Sequence, residues 1–290
     1  MAGIIDLIGN TPLVEIKKLN PNSKVRIFGK LEGNNPGGSV KDRAALNMIK
    51  SALDRGEINK TTKLVEATSG NTGIALAMIA CLFDLEIELV MPANSTRERT
   101  LTMEAYGAKV TLLESIEVCR DYAEEKGITP GYFLLNQFAN PDNYLAHYKT
   151  TGPEIWRDTE GTITNFVSAM GTTGTIMGNS TYLKEKNKDI QIIGCQPTED
   201  SSIPGIRRWP TAYLPKIFDA TKVDKVMDIA ETDAIEMARK FAKVEGVFAG
   251  MSSGGALSAS LKLAQELEEG TIVFICCDRG DRYLSSNLFS

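Results

Sequence analysis

Segments with the apolar pattern of β-strands alternate with helical segments along most of this 290-residue chain. Short joints rich in glycine, serine and threonine connect them. Because parallel strands need a crossover between them, this alternation predicts parallel sheets with helices on both faces. The predicted strands are residues 13–16, 25–31, 63–67, 86–91, 109–113, 165–170, 190–196 and 271–276. The predicted helices are 39–53, 74–83, 95–106, 174–187, 233–244 and 254–267, the third capped by Asn94 or Ser95.

The alternation forms two series, one before and one after Pro141. A chain of this length with 42% hydrophobic residues can bury a core in each of two lobes. Residues 201–215 are irregular and carry prolines, which indicates a long loop in the second series. The sequence therefore predicts an α/β protein of two lobes, each a largely parallel twisted sheet flanked by helices.

Charge and composition argue against several classes of protein. The net charge is −5 and no long basic run is present, so neither nucleic acid nor an anionic membrane is an expected partner. The longest apolar run, residues 74–83, is too short to span a bilayer. Five cysteines without a C-x-x-C pair predict neither a disulfide framework nor a zinc site. We therefore expect a cytoplasmic protein that binds small molecules and no metal.

The stretch 34–43 reads NNPGGSVKDR and ends in a lysine where a helical pattern begins. Pro36 fixes its own φ, Gly37 and Gly38 allow positive φ, and Ser39 can cap a helix. Lys41 then lies in the first turn, where the positive end of the helix dipole favours the neutral amine needed for a Schiff base. A solvated lysine is the alternative. A phosphate-binding P-loop is excluded, because the spacing G-x-x-x-x-G-K is absent.

Three joints of small polar residues, 68–73, 171–175 and 250–255, are predicted to lead from strands into helices. In a parallel sheet the carboxyl ends of the strands face one crevice, where ligands bind. Joint 171–175 offers backbone N–H groups, hydroxyls and a helix N-terminus, which suit a phosphate; an ordinary Gly-rich turn is the alternative. Joint 68–73 offers neutral donors for a carboxylate, and it can cap the helix that follows as well.

A lysine suited to Schiff-base chemistry, a phosphate cradle without metal ligands and a separate carboxylate cradle together indicate pyridoxal phosphate carrying an amino acid. The stretches that contain these residues resemble those of a known family. Stretches 34–43, 68–73, 171–175 and 252–254 resemble the fold type II pyridoxal-phosphate enzymes, and among them the O-acetylserine sulfhydrylases, or cysteine synthases. Stretches 203–210 and 277–283 resemble the B-type members. The resemblance covers nearly the whole chain.

The resemblance implies a domain division and a role for each matching residue. A smaller mobile lobe, residues 36–142, would carry the carboxylate loop, and a larger lobe, residues 1–35 and 143–290, would carry the phosphate loop. Lys41 would hold the cofactor and later move the substrate's Cα proton. Asn71 would lie beside the ring oxygen, and Ser252, or else Ser253, would bond the pyridine nitrogen. Gly171, Thr172, Thr173, Gly174 and Thr175 would bind the phosphate, and Thr68, Ser69, Thr72 and Gln137 the substrate carboxylate.

The implied reaction is β-replacement, in which O-acetyl-L-serine loses acetate and a sulfur nucleophile adds to give L-cysteine. A neutral hydroxyl at the pyridine nitrogen favours elimination over transamination. Other β-elimination enzymes of this fold, such as a serine dehydratase or a cystathionine β-synthase-like enzyme, and a non-catalytic amino-acid-binding relative are the alternatives. The family also implies a homodimer.

Two further features concern the sulfur donor. Arg207 and Arg208 lie on a loop flanked by proline and glycine, and arginine suits the recognition of oxyanions. Cys277 follows the last predicted strand, where its thiol could form a soft wall of the crevice. We therefore expect thiosulfate to be accepted besides sulfide, giving S-sulfocysteine. His147, the only histidine, is expected to be structural.

Overall fold

The computed structural model describes residues 3–68 and 70–289. Its strands are β1 (Leu13–Glu15), β2 (Val25–Leu31), β3 (Lys63–Ala67), β4 (Glu86–Pro92), β5 (Lys109–Leu113), β6 (Tyr132–Leu134), β7 (Asn165–Ala169), β8 (Gln191–Pro197), β9 (Lys225–Ile229) and β10 (Gly270–Cys276). Its helices are α1 (Lys41–Asp54), α2 (Asn71–Leu82), α3 (Arg97–Ala105), α4 (Ile116–Gly127), α5 (Pro141–Lys149), α6 (Thr151–Asp158), α7 (Gly174–Lys186), α8 (Glu231–Lys240) and α9 (Met251–Glu266). A π-helical turn, Phe241–Glu245, extends α8.

The strands form two separate sheets. One has six strands in the order β1-β2-β10-β7-β8-β9, and every neighbouring pair in it is parallel except β1 with β2. The other has four parallel strands in the order β5-β4-β3-β6. Helices cover both sheets, and the α/β fold class predicted from the alternation is confirmed.

Two helices are buried on nearly every side, one against each sheet. α2 lies among α1, α3 and β4, and its residues from Thr72 to Ala80 are buried, as its uniformly apolar sequence predicts. α9 packs on β7 and β10, with α8 outside it, and it is buried from Met251 to Ser260. The N-terminus of each helix lies beside the carboxyl ends of strands, so both helices begin at the crevice.

Several elements escaped the sequence prediction for a physical reason. β6 has only three residues, too few to show the period of a strand, and β9 is an edge strand with mostly exposed side chains and no regular alternation. α4, α5 and α6 were missed too. The predicted caps were wrong at two helices: Thr96, not Asn94 or Ser95, precedes α3, and Val40, not Ser39, precedes α1.

The third polar joint was also misinterpreted. Residues 251–255 form the first turns of α9, and the residue before the joint, Ala249, pairs with Arg279 only in an isolated antiparallel bridge. The joint therefore does not follow a strand of the parallel sheet. The division at residues 35/36 and 142/143 stays a prediction; strands β3 to β6 form one sheet, whereas β1 and β2 belong to the sheet of β7 to β10.

Candidate functional site

A cavity of about 260 Å³ opens where the carboxyl ends of strands from both sheets meet. Residues after β3, β6, β7 and β10 line it, together with the start of α1. Of the residues predicted from the sequence, the structure brings the following into its wall: Lys41, Thr68, Asn71, Thr72, Gln137, Gly171, Thr172, Thr175, Arg207, Ser252 and Cys277.

Of the predicted residues that the structure describes, Thr173, Gly174 and Arg208 do not line the cavity. Ser69 lies outside the described residues. Thr173 and Gly174 are buried at the start of α7, behind the lining. Arg208 points away, donating to the Pro197 carbonyl (2.9 Å) and pairing with Asp228 (2.7 Å). Of the two candidate serines, only Ser252 reaches the cavity.

Lys41 is held at the cavity by the turn before it. Gly38 has φ +81, a left-handed conformation that glycine adopts without strain. The Val40 N–H donates to the carbonyl of Cys277 (2.8 Å), which joins the turn to the end of β10. Arg282 donates to the carbonyl of Gly37. Lys41 is therefore half-buried, and the turn that carries it is bonded to Cys277 at the end of β10.

A buried ion network fixes the first turn of α1 behind Lys41. The Arg43 guanidinium donates to both oxygens of Glu32 (2.7 and 2.8 Å) and to both oxygens of Glu154 (2.6 and 2.8 Å). Lys30, also fully buried, pairs with Glu154 (2.9 Å) and Asp158 (3.2 Å). Every charge in this group has an opposite charge in contact, as buried ions require.

The joint 171–175 has the donors that a phosphate group needs. It lies at the N-terminus of α7, and the Thr172 hydroxyl accepts an N–H from Asn143 (3.1 Å). A Cβ on Gly174 would collide with the Asn143 side chain, and one on Gly171 would press on the Gly205 carbonyl. Both glycines are therefore required for the packing of this turn, and its backbone N–H groups and hydroxyls at a helix N-terminus beside the cavity fit a bound phosphate ester.

A neutral histidine supports this cradle. The Thr175 hydroxyl is 3.3 Å from one ring nitrogen of His147, and the Thr151 hydroxyl is 2.9 Å from the other. Burial, and the nearby charge of Arg43, lower the pKa of His147 to about 3. The imidazole is therefore uncharged at neutral pH, and it does not line the cavity.

The joint that is predicted to bind the substrate carboxylate, within residues 68–73, is bonded to the segment after β6. The Thr72 hydroxyl donates to the Gln137 side-chain oxygen (2.8 Å), and the Gln137 amide donates to the Ala67 carbonyl (2.7 Å). The Thr68 hydroxyl accepts the N–H groups of Gly70 (3.2 Å) and Gly73 (3.1 Å). These bonds set hydroxyl and amide groups around one part of the cavity without a formal charge.

Sequence reasoning assigned no role to three residues that orient Asn71. The Asn71 amide donates to Asp278 (2.6 Å), and its oxygen accepts from Arg282 (2.7 Å). Tyr283 donates to the same Asp278 oxygen (2.7 Å). The two contacts fix which end of the amide faces which neighbour. The stretch 277–283 was singled out by resemblance alone, and its contact with residue 71 spans more than two hundred positions of sequence.

Arg207 brings positive charge to the mouth of the cavity. Its guanidinium makes no hydrogen bond or ion pair within residues 3–68 and 70–289. Burial lowers the pKa of Arg207, and the attraction of Glu117 opposes that effect. Burial also raises the pKa of the Cys277 thiol to about 11, so the group is a neutral thiol near pH 7. The wall therefore offers a cation that makes no hydrogen bond or ion pair with the described residues, and a soft neutral group.

In the part of the chain that the structure describes, no group of three histidine, cysteine, aspartate or glutamate side chains is placed to hold a metal ion. None of the helices in that part combines the length and apolar character needed to cross a membrane.

The two-sheet fold, the lysine at the cavity and the glycine- and threonine-rich turn 171–175 are features expected of a pyridoxal-phosphate enzyme, and family comparison agrees with this class. The family described as pyridoxal-phosphate dependent enzyme matches residues 4–278. The chain belongs to this family.

Within this family, the chain is clearly similar to proteins named cysteine synthase. Cysteine synthase B of Pseudomonas aeruginosa is 55% identical over 289 residues, 99% of this chain and 97% of the relative. Cysteine synthase B of Escherichia coli is 53% identical and covers 100% of this chain and 96% of the relative. The crystal structure of the cysteine synthase of Entamoeba histolytica superposes with a TM-score of 0.93 at 38% identity, covering 100% of this chain and 90% of that one.

Proposed function

We propose that this protein makes L-cysteine from O-acetyl-L-serine and sulfide by β-replacement. The Cβ–O bond breaks, acetate leaves with the electron pair, and sulfur forms a new bond to Cβ, with no net oxidation or reduction. The relatives named cysteine synthase B, which match the whole chain at 53–55% identity, support this reaction. The observation that carries it is the meeting of Lys41, the phosphate cradle and the carboxylate loop in one cavity.

When bound, pyridoxal phosphate supplies the electron sink that makes the substrate's Cα proton acidic and lets the β substituent leave. The residues present fit that group. Lys41 would attach it and carry the Cα proton. The N–H groups and hydroxyls of residues 171–175 would hold the phosphate, and Asn71 would bind the ring oxygen. Ser252, which is 3% exposed in the cavity wall, would offer a neutral hydroxyl to the ring nitrogen. Thr68, Ser69, Thr72 and Gln137 would bind the substrate carboxylate.

Lys41 can be tested by locating the attachment site directly. We expect borohydride reduction of the cofactor-loaded protein, followed by peptide mass spectrometry, to place the added mass on Lys41. Lys41→Ala should lose β-replacement activity, because Lys41 is the one lysine among the described residues that line the cavity. Lys50→Ala, on the exposed side of the same helix, is the matched control and should retain activity. Added mass on another lysine, or normal turnover by Lys41→Ala, would reject the assignment.

We further propose that thiosulfate serves as a second sulfur donor, giving S-sulfocysteine. What supports this is Arg207, a half-buried cation in the cavity lining whose guanidinium makes no hydrogen bond or ion pair with the residues that the structure describes. Sulfide has no oxygen atoms for a guanidinium to bind, whereas thiosulfate has three. Cys277 provides the soft wall beside Lys41.

The neighbouring arginines give a matched pair of variants. A hydrogen bond to a charged group contributes about 1.5–3 kcal/mol, so Arg207→Ala should lower kcat/KM for thiosulfate about ten- to a hundredfold and that for sulfide much less. Arg208→Ala should leave both values near wild type, because Arg208 is committed to Asp228. Equal losses with both donors in Arg207→Ala, or no thiosulfate turnover by the wild type, would contradict the proposal.

We propose, finally, that residues 36–142 act as the smaller mobile lobe, and that the enzyme is a cytoplasmic homodimer. The lobe assignment is supported by the separate four-stranded sheet, which carries Thr68 and Asn71, whereas the phosphate cradle follows β7 of the other sheet. Membership of the family supports the dimer. Sedimentation equilibrium tests the dimer, and a monomer at micromolar concentration would refute it.

A further inference from the structure

An arginine of α4 lies among three aromatic rings at the edge of the cavity. The central carbon of the Arg120 guanidinium is 4.4 Å from the ring centroid of Phe138, 5.2 Å from that of Tyr213 and 5.7 Å from that of Trp209. Arg120 also donates to the Tyr213 carbonyl (3.1 Å). A planar guanidinium can stack on rings and donate in its own plane at once, which an ammonium group cannot do.

The rings around Arg120 are part of the cavity wall. Phe138 and Trp209 both line the cavity and meet edge to face, with centroids 5.5 Å apart and planes at 82°. The Trp209 indole N–H donates to the Gly171 carbonyl (2.7 Å), in the phosphate cradle. Trp209 is two residues from Arg207. A group that fixes Trp209 therefore acts on both the arginine and the cradle.

Arg120 joins two parts of the protein that the backbone leaves separate. α4 packs on β3, β4 and β6 of the four-stranded sheet, whereas residues 201–215 follow β8 of the six-stranded sheet. One turn before Arg120 on the same face, Glu117 attracts Arg207. One face of α4 thus meets the segment 201–215: Arg120 contacts Trp209 and Tyr213, and the charge of Glu117 favours that of Arg207 without an ion pair between them.

We propose that Arg120 is a positioning residue for the sulfur donor: its guanidinium fixes Trp209 and Tyr213, and thereby holds Arg207 over the cavity. The effect on the sulfur donor rests on the proposed function, in which Arg207 binds thiosulfate. The effect on the position of Trp209 does not, because it can be measured without any reaction. Loss of the guanidinium would free the segment to move away from α4 and would expose the indole.

Tryptophan fluorescence tests the placement. The chain has only Trp156 and Trp209, so in a Trp156→Phe background the emission comes from Trp209 alone. In the cofactor-loaded protein we expect Arg120→Ala to raise the acrylamide quenching constant at least twofold and Arg120→Lys to give an intermediate value. Lys126→Ala removes a different cation from the same helix, one that lies over Tyr132 (4.6 Å), and should leave the quenching constant unchanged.

Steady-state kinetics test the consequence. Arg120→Ala should raise KM for thiosulfate about tenfold, change KM for O-acetylserine little and keep kcat with sulfide within about threefold. If the wild type does not use thiosulfate, the donor proposal fails and the quenching result still decides the placement of Trp209. Unchanged quenching in Arg120→Ala, an equal rise in Lys126→Ala, or raised quenching with unaltered KM for thiosulfate in an enzyme that uses it would each overturn the inference.

Discussion

Replacing Glu154 by glutamine should destabilise the protein by removing one charge from the network behind Lys41. Glu154 accepts two hydrogen bonds from Arg43 and an ion pair from Lys30, both of which are fully buried. Glutamine has nearly the same shape, but it leaves the two cations with less negative charge around them. Removing one partner of a buried ion pair costs about 3–5 kcal/mol.

The pKa of Glu154 gives an independent magnitude. Burial alone would raise this pKa, but the hydrogen bonds and charges of Arg43 and Lys30 outweigh burial and lower it from 4.5 to about 2. That difference corresponds to about 3.4 kcal/mol in favour of the charged form. Some of it is screened by solvent, since the carboxylate is not fully enclosed, and we expect a loss near 3 kcal/mol. For a chain of this length the corresponding fall in Tm is about 5 °C.

The effect should depend on pH with a definite sign. Because the pKa is lower in the folded protein, the stabilisation by Glu154 is complete above about pH 4.5 and is lost as pH falls through about 2. At pH 3.5 the wild type should have lost about 1.4 kcal/mol of this stabilisation. The difference in the free energy of unfolding between wild type and Glu154→Gln should then be about 1–2 kcal/mol.

Urea unfolding of the cofactor-free protein, followed by circular dichroism at pH 7 and pH 3.5, measures the difference. Asp54→Asn is the control, since it breaks an exposed pair with Lys50 and should cost less than about 0.5 kcal/mol. A loss below about 1 kcal/mol at pH 7 in Glu154→Gln, or a difference between wild type and variant that widens at pH 3.5, would refute this account of the network.

Three other variants test the residues that are predicted to bind or support the cofactor. Gly174→Ala should weaken cofactor binding at least tenfold in a titration of the cofactor-free protein, because its Cβ collides with Asn143; wild-type affinity would contradict the cradle. His147→Gln should weaken cofactor retention through Thr175 yet leave the pH profile of kcat unchanged from pH 6 to 9, since the ring with its pKa of about 3 is neutral throughout. The same variant should lose less stability than the wild type as pH falls below 6.5, where the unfolded histidine gains a proton and the folded one does not; parallel losses would refute a buried neutral ring. Ser252→Asp should still bind cofactor but change its absorption spectrum and slow the elimination step about tenfold, and an unaltered spectrum would remove Ser252 from the ring nitrogen.

Local sequence patterns determined the class of fold. Spacing of apolar residues reports the period of a helix or strand, and it located α2, α7, β2 and β10 within a few residues. Turn chemistry placed Lys41 at the start of a helix and marked residues 171–175 as an anion cradle, because glycine and proline preferences are properties of the local backbone. The same patterns failed at β6 and β9, which are short or exposed and are fixed by pairing with strands elsewhere in the chain.

Only the tertiary structure decided which polar side chains face the cavity. Arg207 and Arg208 are equivalent in sequence, yet one lines the cavity and the other pairs with Asp228. Ser252 and Ser253 differ too, because successive residues of a helix point in different directions and only Ser252 lines the cavity. The partners of Asn71, of Arg43 and of Arg120 come from distant positions, so no local pattern could identify them. The sequence by itself determined the α/β architecture and the turn that presents the lysine, because both follow from short-range preferences. Burial, charge pairing and ring contacts depend on residues that only folding brings together, and those contacts determine what each side chain in the cavity can do.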